Sequence, residues 1–348
     1  MAANAFSSVL VARHPIDKQW LSDWIADKVA EVSGDGWMRI LVVGAGALGG
    51  YFGGCLIRAG GDVTFLVRPR RAEQLVRQGL QIVSPHGDFT VPAATVLAGG
   101  IRHPFDLILV GVKSYSLDEA MDHFAAAVGP TTVILPILNG MGHLDRLGAR
   151  LGAEHVLGGM ANISAGIDAE GRVVQFFPIH DLLFGEISGG FSDRTRALEA
   201  CFNGAGFNGR ASDGILQDMW EKFVQLGLGA GITCLMRASI GDILAAPGGR
   251  EAMFQIFDEC CAIATASGFK PRPAFIEFDT TLITTVGSPL KWSMLRDIER
   301  GSTTEGDHIL GDMVARAHAL GIPAPILKLA RTHVAAYEIG RSRTVATS

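Results

Sequence analysis

The run Arg39-Ile40-Leu41-Val42-Val43-Gly44-Ala45-Gly46-Ala47-Leu48-Gly49-Gly50 limits what this chain can fold into more than any other part of it. A short apolar segment suited to a buried parallel strand enters Gly-x-Gly-x-x-Gly and then a helix-like stretch over residues 51–59. Each glycine has its own job in such a turn. Gly44 permits the tight bend, Gly46 lets the backbone approach a pyrophosphate, and Gly49 lets the helix pack closely on the strand. The helix start then offers unpaired N–H groups and the positive end of its dipole to an anion. Gly44, Ala45, Gly46, Ala47, Leu48 and Gly49 are therefore the expected dinucleotide-binding loop. A glycine-rich turn serving packing alone would not need a strand before it, a helix after it and a second strand on schedule.

That second strand, residues 62–67, ends in Arg68-Pro69-Arg70-Arg71. About twenty residues past the glycines, a carboxylate would bind the ribose hydroxyls of NAD. Here Arg68 stands there, and no carboxylate appears before Glu73. A guanidinium offers paired donors and a fixed charge to a 2′-phosphate. The reading is NADPH, with Arg68 as the phosphate ligand; the alternative is a solvated helix start that says nothing of the nucleotide.

From Met38 onward strand and helix signals alternate. Strands are expected over residues 40–43, 63–67, 107–110 and 132–135, with helices over 50–59, 71–78 and 117–128. Residues 81–83 and 89–91 form a hairpin around Pro85-His86-Gly87, and 156–163, 173–176 and 182–185 are three further strands. After Gly206 the pattern becomes helical, over residues 216–235, 251–267, 275–285, 307–320 and 326–337. The fold class is α/β, with an N-terminal Rossmann-like doubly wound sheet and an all-helical C-terminal domain. The division is an appendage at 1–37, a dinucleotide-binding domain at 38–206, a helical substrate and catalytic domain at 207–340, and a tail at 341–348. The appendage can form an amphipathic helix over residues 17–32, and no function is assigned to it.

Composition excludes several partners. With 48% hydrophobic and 19% charged residues, the 348-residue chain builds buried cores rather than disorder. Its net charge of −5 and scattered basic residues give no nucleic-acid surface. The apolar run at residues 223–236 is too short to span a membrane. Five cysteines without metal-ligand spacing fit buried thiols in a cytoplasmic setting and no metal site. In a doubly wound sheet the residues after the strands at 107–110 and 132–135 line the cofactor, and these include Lys113 and Asn139-Gly140-Met141-Gly142.

Together with Gly44–Gly49, Trp220-Glu221-Lys222, Ser293–Asp297 and Thr304-Glu305-Gly306-Asp307, these fragments make the chain resemble the ketopantoate reductases (2-dehydropantoate 2-reductases) from residue 38 to about 337. The resemblance implies hydride transfer from NADPH to a 2-oxo acid, the step that forms pantoate in pantothenate biosynthesis. It implies that Lys222 is the general acid, that Glu305 orients it and contacts the substrate and cofactor, and that Ser293 donates to the substrate carboxylate. Lys113 and Asn139 would frame the nicotinamide and the reacting carbonyl. A homodimer through the helical domain is a further expectation.

The chain also departs from that pattern. Where the family carries pocket asparagines, this sequence has Leu226, Ala230, Ile240 and Leu290. A substrate hydroxyl without a partner in a dry pocket costs ~1–3 kcal/mol. Either Gln225, Thr233 or Ser239 compensates, or the substrate is a more apolar 2-oxo acid or ketone. A third reading, from another class, is an NADPH-binding redox sensor without turnover. Substrate identity, stereochemistry and oligomeric state are left open by the residues.

Overall fold

Apolar β-branched runs bounded by glycine turns produce the first strands. In the computed structural model, which describes residues 38–347, they are β1 (Ile40–Val43) and β2 (Val63–Leu66), joined by α1 (Ala47–Arg58). The order continues with α2 (Pro69–Gln78), β3 (Leu80–Val83), β4 (Phe89–Val91), β5 (Ala94–Val96) and β6 (Leu107–Val110). Then come α3 (Leu117–Phe124), β7 (Val133–Pro136), α4 (Gly142–Leu151), β8 (Gly158–Ile167) and β9 (Val173–Gly185). The α/β half closes with α5 (Asp193–Phe202) and β10 (Asn208–Ala211). The expected helix at residues 17–32 lies outside the described residues.

β1, β2, β5, β6 and β7 form a parallel sheet in the order β5-β2-β1-β6-β7. Ile40 lies opposite both Val63 and Leu107, so β1 is central and its four residues are buried on both faces. A second sheet runs β10-β9-β3-β4, with β8 antiparallel on β9. The two strands expected at 173–176 and 182–185 are one strand, β9, whose pairing with β8 shifts between Ile163 and Ala165. Pro178 interrupts the strand signal; it sits at the irregularity, where a missing N–H costs no ladder bond. β5 and β10 escaped notice because each is short and only partly apolar.

α1 lies between the two sheets because its sequence is small there. A Cβ at Gly53 would stand 2.6 Å from the Phe65 ring, and one at Gly54 would stand 2.4 Å from Ile82. Phe65 belongs to the parallel sheet and Ile82 to the other, so the helix is a shared core wall.

Among the described residues no strand follows β10. The long helix α6 (Ile215–Met236) is buried along most of its length and packs against every side of a helical cluster. Around it stand α7 (Ile240–Ala245), α8 (Gly249–Ala266), α9 (Pro273–Thr284) and α10 (Ser293–Glu299). A five-residue π turn, Asp307–Gly311, leads into α11 (Asp312–Ala319), and α12 (Pro325–Thr347) is the last described element. No helix among the described residues is long and apolar enough to cross a membrane.

Gly49→Ala is expected to cost ~1–3 kcal/mol, since the new Cβ would fall 2.1 Å from the Gly44 carbonyl oxygen. Urea denaturation checks this, with Gly46→Ala as the comparison: nothing lies within 4 Å of a Cβ at Gly46, and its stability stays near that of the parent.

Candidate active site

Because β1, β6 and β7 are sheet neighbours, the loops after them meet at one edge. Gly44 takes φ +92°, a conformation that L side chains rarely adopt, and turns the chain out of β1. Gly49 is pressed against the Gly44 carbonyl, while Gly46 faces open space and no side chain caps α1. The backbone therefore supplies a tight turn, a bare approach and an uncapped helix start, which together fit a dinucleotide diphosphate. Gly111, after β6, completes the wall; a Cβ there would lie 2.9 Å from the Gly49 backbone.

The three arginines after β2 divide their work. Arg68 stands at the cap of α2, with its side chain 72% exposed and a single ion pair to Glu119 at 2.5 Å. Arg71 is turned inward. Its Nε donates to the Ala45 carbonyl at 3.1 Å and its Nη1 to the Gly171 carbonyl at 2.8 Å, which ties the glycine loop to the β8–β9 turn.

Glu305 lies at the heart of the site. It is 8% exposed and accepts from Lys113 Nζ at 3.0 Å and from the Ser114 backbone N–H at 3.1 Å. Asp297, on α10, stands 3.7 Å from the same ammonium. Burial alone would raise the Glu305 pKa, but the Lys113 charge and the two hydrogen bonds outweigh it and hold the carboxyl below its usual range. Burial likewise works against the Lys113 ammonium, yet Glu305 and Asp297 together push its pKa up. Asp297 had no role in the sequence reading, although it closes the Ser293–Asp297 motif four residues after Ser293.

Lys222 projects from α6 toward β8, where its Nζ donates to the Ala161 carbonyl at 2.5 Å. No hydrogen bond joins Lys222 to Glu305, whose carboxylate accepts from Lys113. Glu305 acts on Lys222 through its charge only. Burial dominates and lowers the Lys222 pKa to about 8, with Glu305 opposing the shift. Asn139 is partly buried at the end of the β7 loop. Ser293 opens α10 on an exposed face, next to Trp292. Lys113, Ser114, Asp297 and Glu305 are thus in direct contact, Lys222 feels the Glu305 charge, and Asn139 and Ser293 lie outside that network.

The ketopantoate reductase PanE/ApbA family matches residues 40–189, and its C-terminal counterpart matches residues 214–338. The chain belongs to the ketopantoate reductase family. It is an oxidoreductase by that membership. An uncharacterized oxidoreductase of Bacillus subtilis is 38% identical over 301 residues, covering 86% of this chain and 99% of that protein. The solved 2-dehydropantoate 2-reductase of Geobacter metallireducens is 31% identical with a TM-score of 0.78, covering 85% of this chain and 99% of its own. A D-mandelate dehydrogenase solved with NADH and anilino(oxo)acetate shares the fold at 21% identity, with a TM-score of 0.79 and coverage of 88% and 99%.

The departures of this reductase from its family are resolved by packing. Ala230 and Ile240 are fully enclosed in the helical core, Leu226 is 8% exposed, and the Leu290 carbonyl accepts from the Ile240 N–H. The three side chains that could compensate are committed elsewhere. Gln225 donates to Asp279 at 2.6 Å, Thr233 to the Gly229 carbonyl at 2.6 Å, and Ser239 to Asp242 at 2.5 Å. A Cβ at Gly229 would fall 1.9 Å from the Trp292 ring, so the indole lies flat on α6 two turns beyond Lys222.

Asp279 is fully buried, with Oδ2 unpartnered, and burial raises its pKa to about 6. The unfolded chain ionises this group from its ordinary value of 3.8, so its penalty on stability grows as pH rises from there to about 6 and persists above. Asp279→Asn is therefore expected to raise stability at pH 7.5 by ~1–3 kcal/mol, with the gain vanishing below pH ~4. Thermal denaturation of both proteins across that range decides it.

Proposed function

We propose that this reductase transfers hydride from NADPH to the carbonyl carbon of a 2-oxo acid, with Lys222 as the proton donor. Bound NADPH supplies the hydride; the chain's own residues do the rest. Gly44–Gly49 receive the diphosphate, and Lys113 and Asn139, at the ends of β6 and β7, stand beside the nicotinamide position. Glu305 takes the cofactor and substrate side of Lys113, and Ser293 offers a hydroxyl to the substrate carboxylate. The alkoxide formed at the reacting carbon takes its proton from Lys222 Nζ.

The observation that carries this reading is the state of Lys222. An ammonium with a pKa of about 8, partly buried beside the strand-end loops, gives up a proton readily near neutral pH yet holds it at rest. General acids work best when their pKa lies near the working pH, and such a donor contributes ~10²–10⁴-fold in rate. Arg68 supports NADPH over NADH, because its exposed guanidinium has only Glu119 to leave for a 2′-phosphate. Ketopantoate is the first candidate substrate, which would place the enzyme at the pantoate-forming step of pantothenate biosynthesis.

A second reading of the substrate rests on one specific observation. Thr233 and Ser239 give their hydroxyl protons inside the helical half, and Gln225 gives one of its two amide protons to Asp279, which leaves only the remainder of one amide to replace the missing asparagines. That favours a 2-oxo acid with a more apolar side chain, presented to Leu226 and Trp292. NADPH oxidation with ketopantoate against branched and aromatic 2-oxo acids separates the two.

Lys222→Ala should lower kcat by ~10²-fold or more while NADPH affinity changes little. In the parent enzyme the donor is charged below pH 8, so kcat should fall as pH rises through about 8; a flat profile to pH 10 would remove Lys222 from the proton step. Arg68→Ala should weaken NADPH much more than NADH, whereas Arg71→Ala should weaken both, since it loosens the glycine loop itself. Fluorescence titration with each nucleotide distinguishes these outcomes.

A further inference from the structure

The ion pair between Arg68 and Glu119 joins the two flanks of β1. Leu66 of β2 and Val110 of β6 both lie level with Val43, one on each side of it. Neighbouring strands are ~4.8 Å apart, so β2 and β6 end roughly 10 Å from each other, with the glycine turn leaving β1 between them. Arg68 follows β2, and Glu119 stands in the first turn of α3, which follows β6. Their side chains meet at 2.5 Å. The strand order β5-β2-β1-β6-β7 reverses between β1 and β6, and a doubly wound sheet opens its dinucleotide crevice at that reversal. The pair therefore stands beside the crevice, on the side where β2 would receive the adenosine ribose.

The other acids of α3 behave differently. Asp118 and Asp122 both turn to α4, where they pair with Arg146 at 2.6 Å and with Arg150. Helical spacing puts those two on one face and Glu119 about 100° round from Asp118. Glu119 is thus aimed at the β2 side. There Arg71 is already held by the Ala45 and Gly171 carbonyls, and Arg68 is the guanidinium that Glu119 reaches. The two side chains stay more than half exposed, at 72% and 54%, so a ligand has access to both.

The geometry points to Glu119 as the residue that sets the preference between NADPH and NADH, by holding the guanidinium that a 2′-phosphate would take. This rests on the reading of Arg68 as the 2′-phosphate ligand. NADPH has to exchange one ion pair for another: Arg68 leaves the Glu119 carboxylate and turns to the phosphate. The ribose hydroxyls of NADH carry no charge, so NADH leaves the pair closed. No covalent bond is made or broken. An exposed ion pair shifts an equilibrium by about fivefold at most, which makes it weak enough to open and strong enough to measure. Glu119 acts through Arg68 and is a positioning residue.

Fluorescence titration of four proteins with NADPH and with NADH tests this: the parent, Glu119→Gln, Arg68→Ala and the double variant. Glu119→Gln keeps the side-chain shape at an exposed position. It should tighten NADPH about two- to fivefold and leave NADH nearly unchanged. In the Arg68→Ala background the same substitution should lose most of its effect, because the group it frees is gone. An unchanged or weaker NADPH affinity in Glu119→Gln, an equal gain for both nucleotides, or an undiminished gain without Arg68 would overturn the role of Glu119. A selective loss of NADPH in Arg68→Ala beside an inert Glu119→Gln removes Glu119 alone. Equal weakening of both nucleotides in Arg68→Ala removes the 2′-phosphate assignment, and the role of Glu119 falls with it.

Discussion

Glu305 brings a negative charge into the interior of the site, and such a charge is tolerated only if it is paired and hydrogen-bonded. It finds both needs met in one place, the loop after β6, where Lys113 supplies the charge and Ser114 a backbone N–H. That bond joins the parallel-sheet half to the helical half, across 192 positions of sequence. Because Lys113 claims Glu305, the Lys222 ammonium is left with a carbonyl oxygen and a distant negative charge. A close carboxylate would raise the Lys222 pKa instead. Burial therefore governs the acidity of Lys222, opposed only by the charge of Glu305.

The same economy of space governs the cofactor side. Small residues along α1 let two sheets approach it, and the turn that begins the helix is bare where a diphosphate would come. Arg71 then locks this turn from behind, while Arg68 remains at the surface. Stability and binding therefore draw on neighbouring glycines for different reasons: Gly49 for contact with the backbone of Gly44, Gly46 for the absence of any contact at all.

Much of this was legible in the residues, since local pattern has local causes. The strands β1, β2, β6 and β7 were visible as apolar runs because parallel strands are buried on both faces. The long helices were visible by their spacing. β9 was read as two strands because its middle, Phe176 to Ile179, is exposed and contains proline, so the apolar pattern breaks where the backbone does not. The short helices α7 and α10 were missed because one turn or two carries too little periodicity.

The amino-acid sequence by itself determined the fold class, the glycine loop, the family and the candidates Lys113, Asn139, Lys222, Ser293 and Glu305, because each rests on residue type at short spacing. Only the tertiary structure decided which lysine Glu305 pairs with, that Asp297 joins them, and that Gln225, Thr233 and Ser239 donate within the core. Those facts depend on contacts between residues far apart in the chain. Partner choice among buried charges is settled by distance and desolvation, and neither exists until the chain has folded.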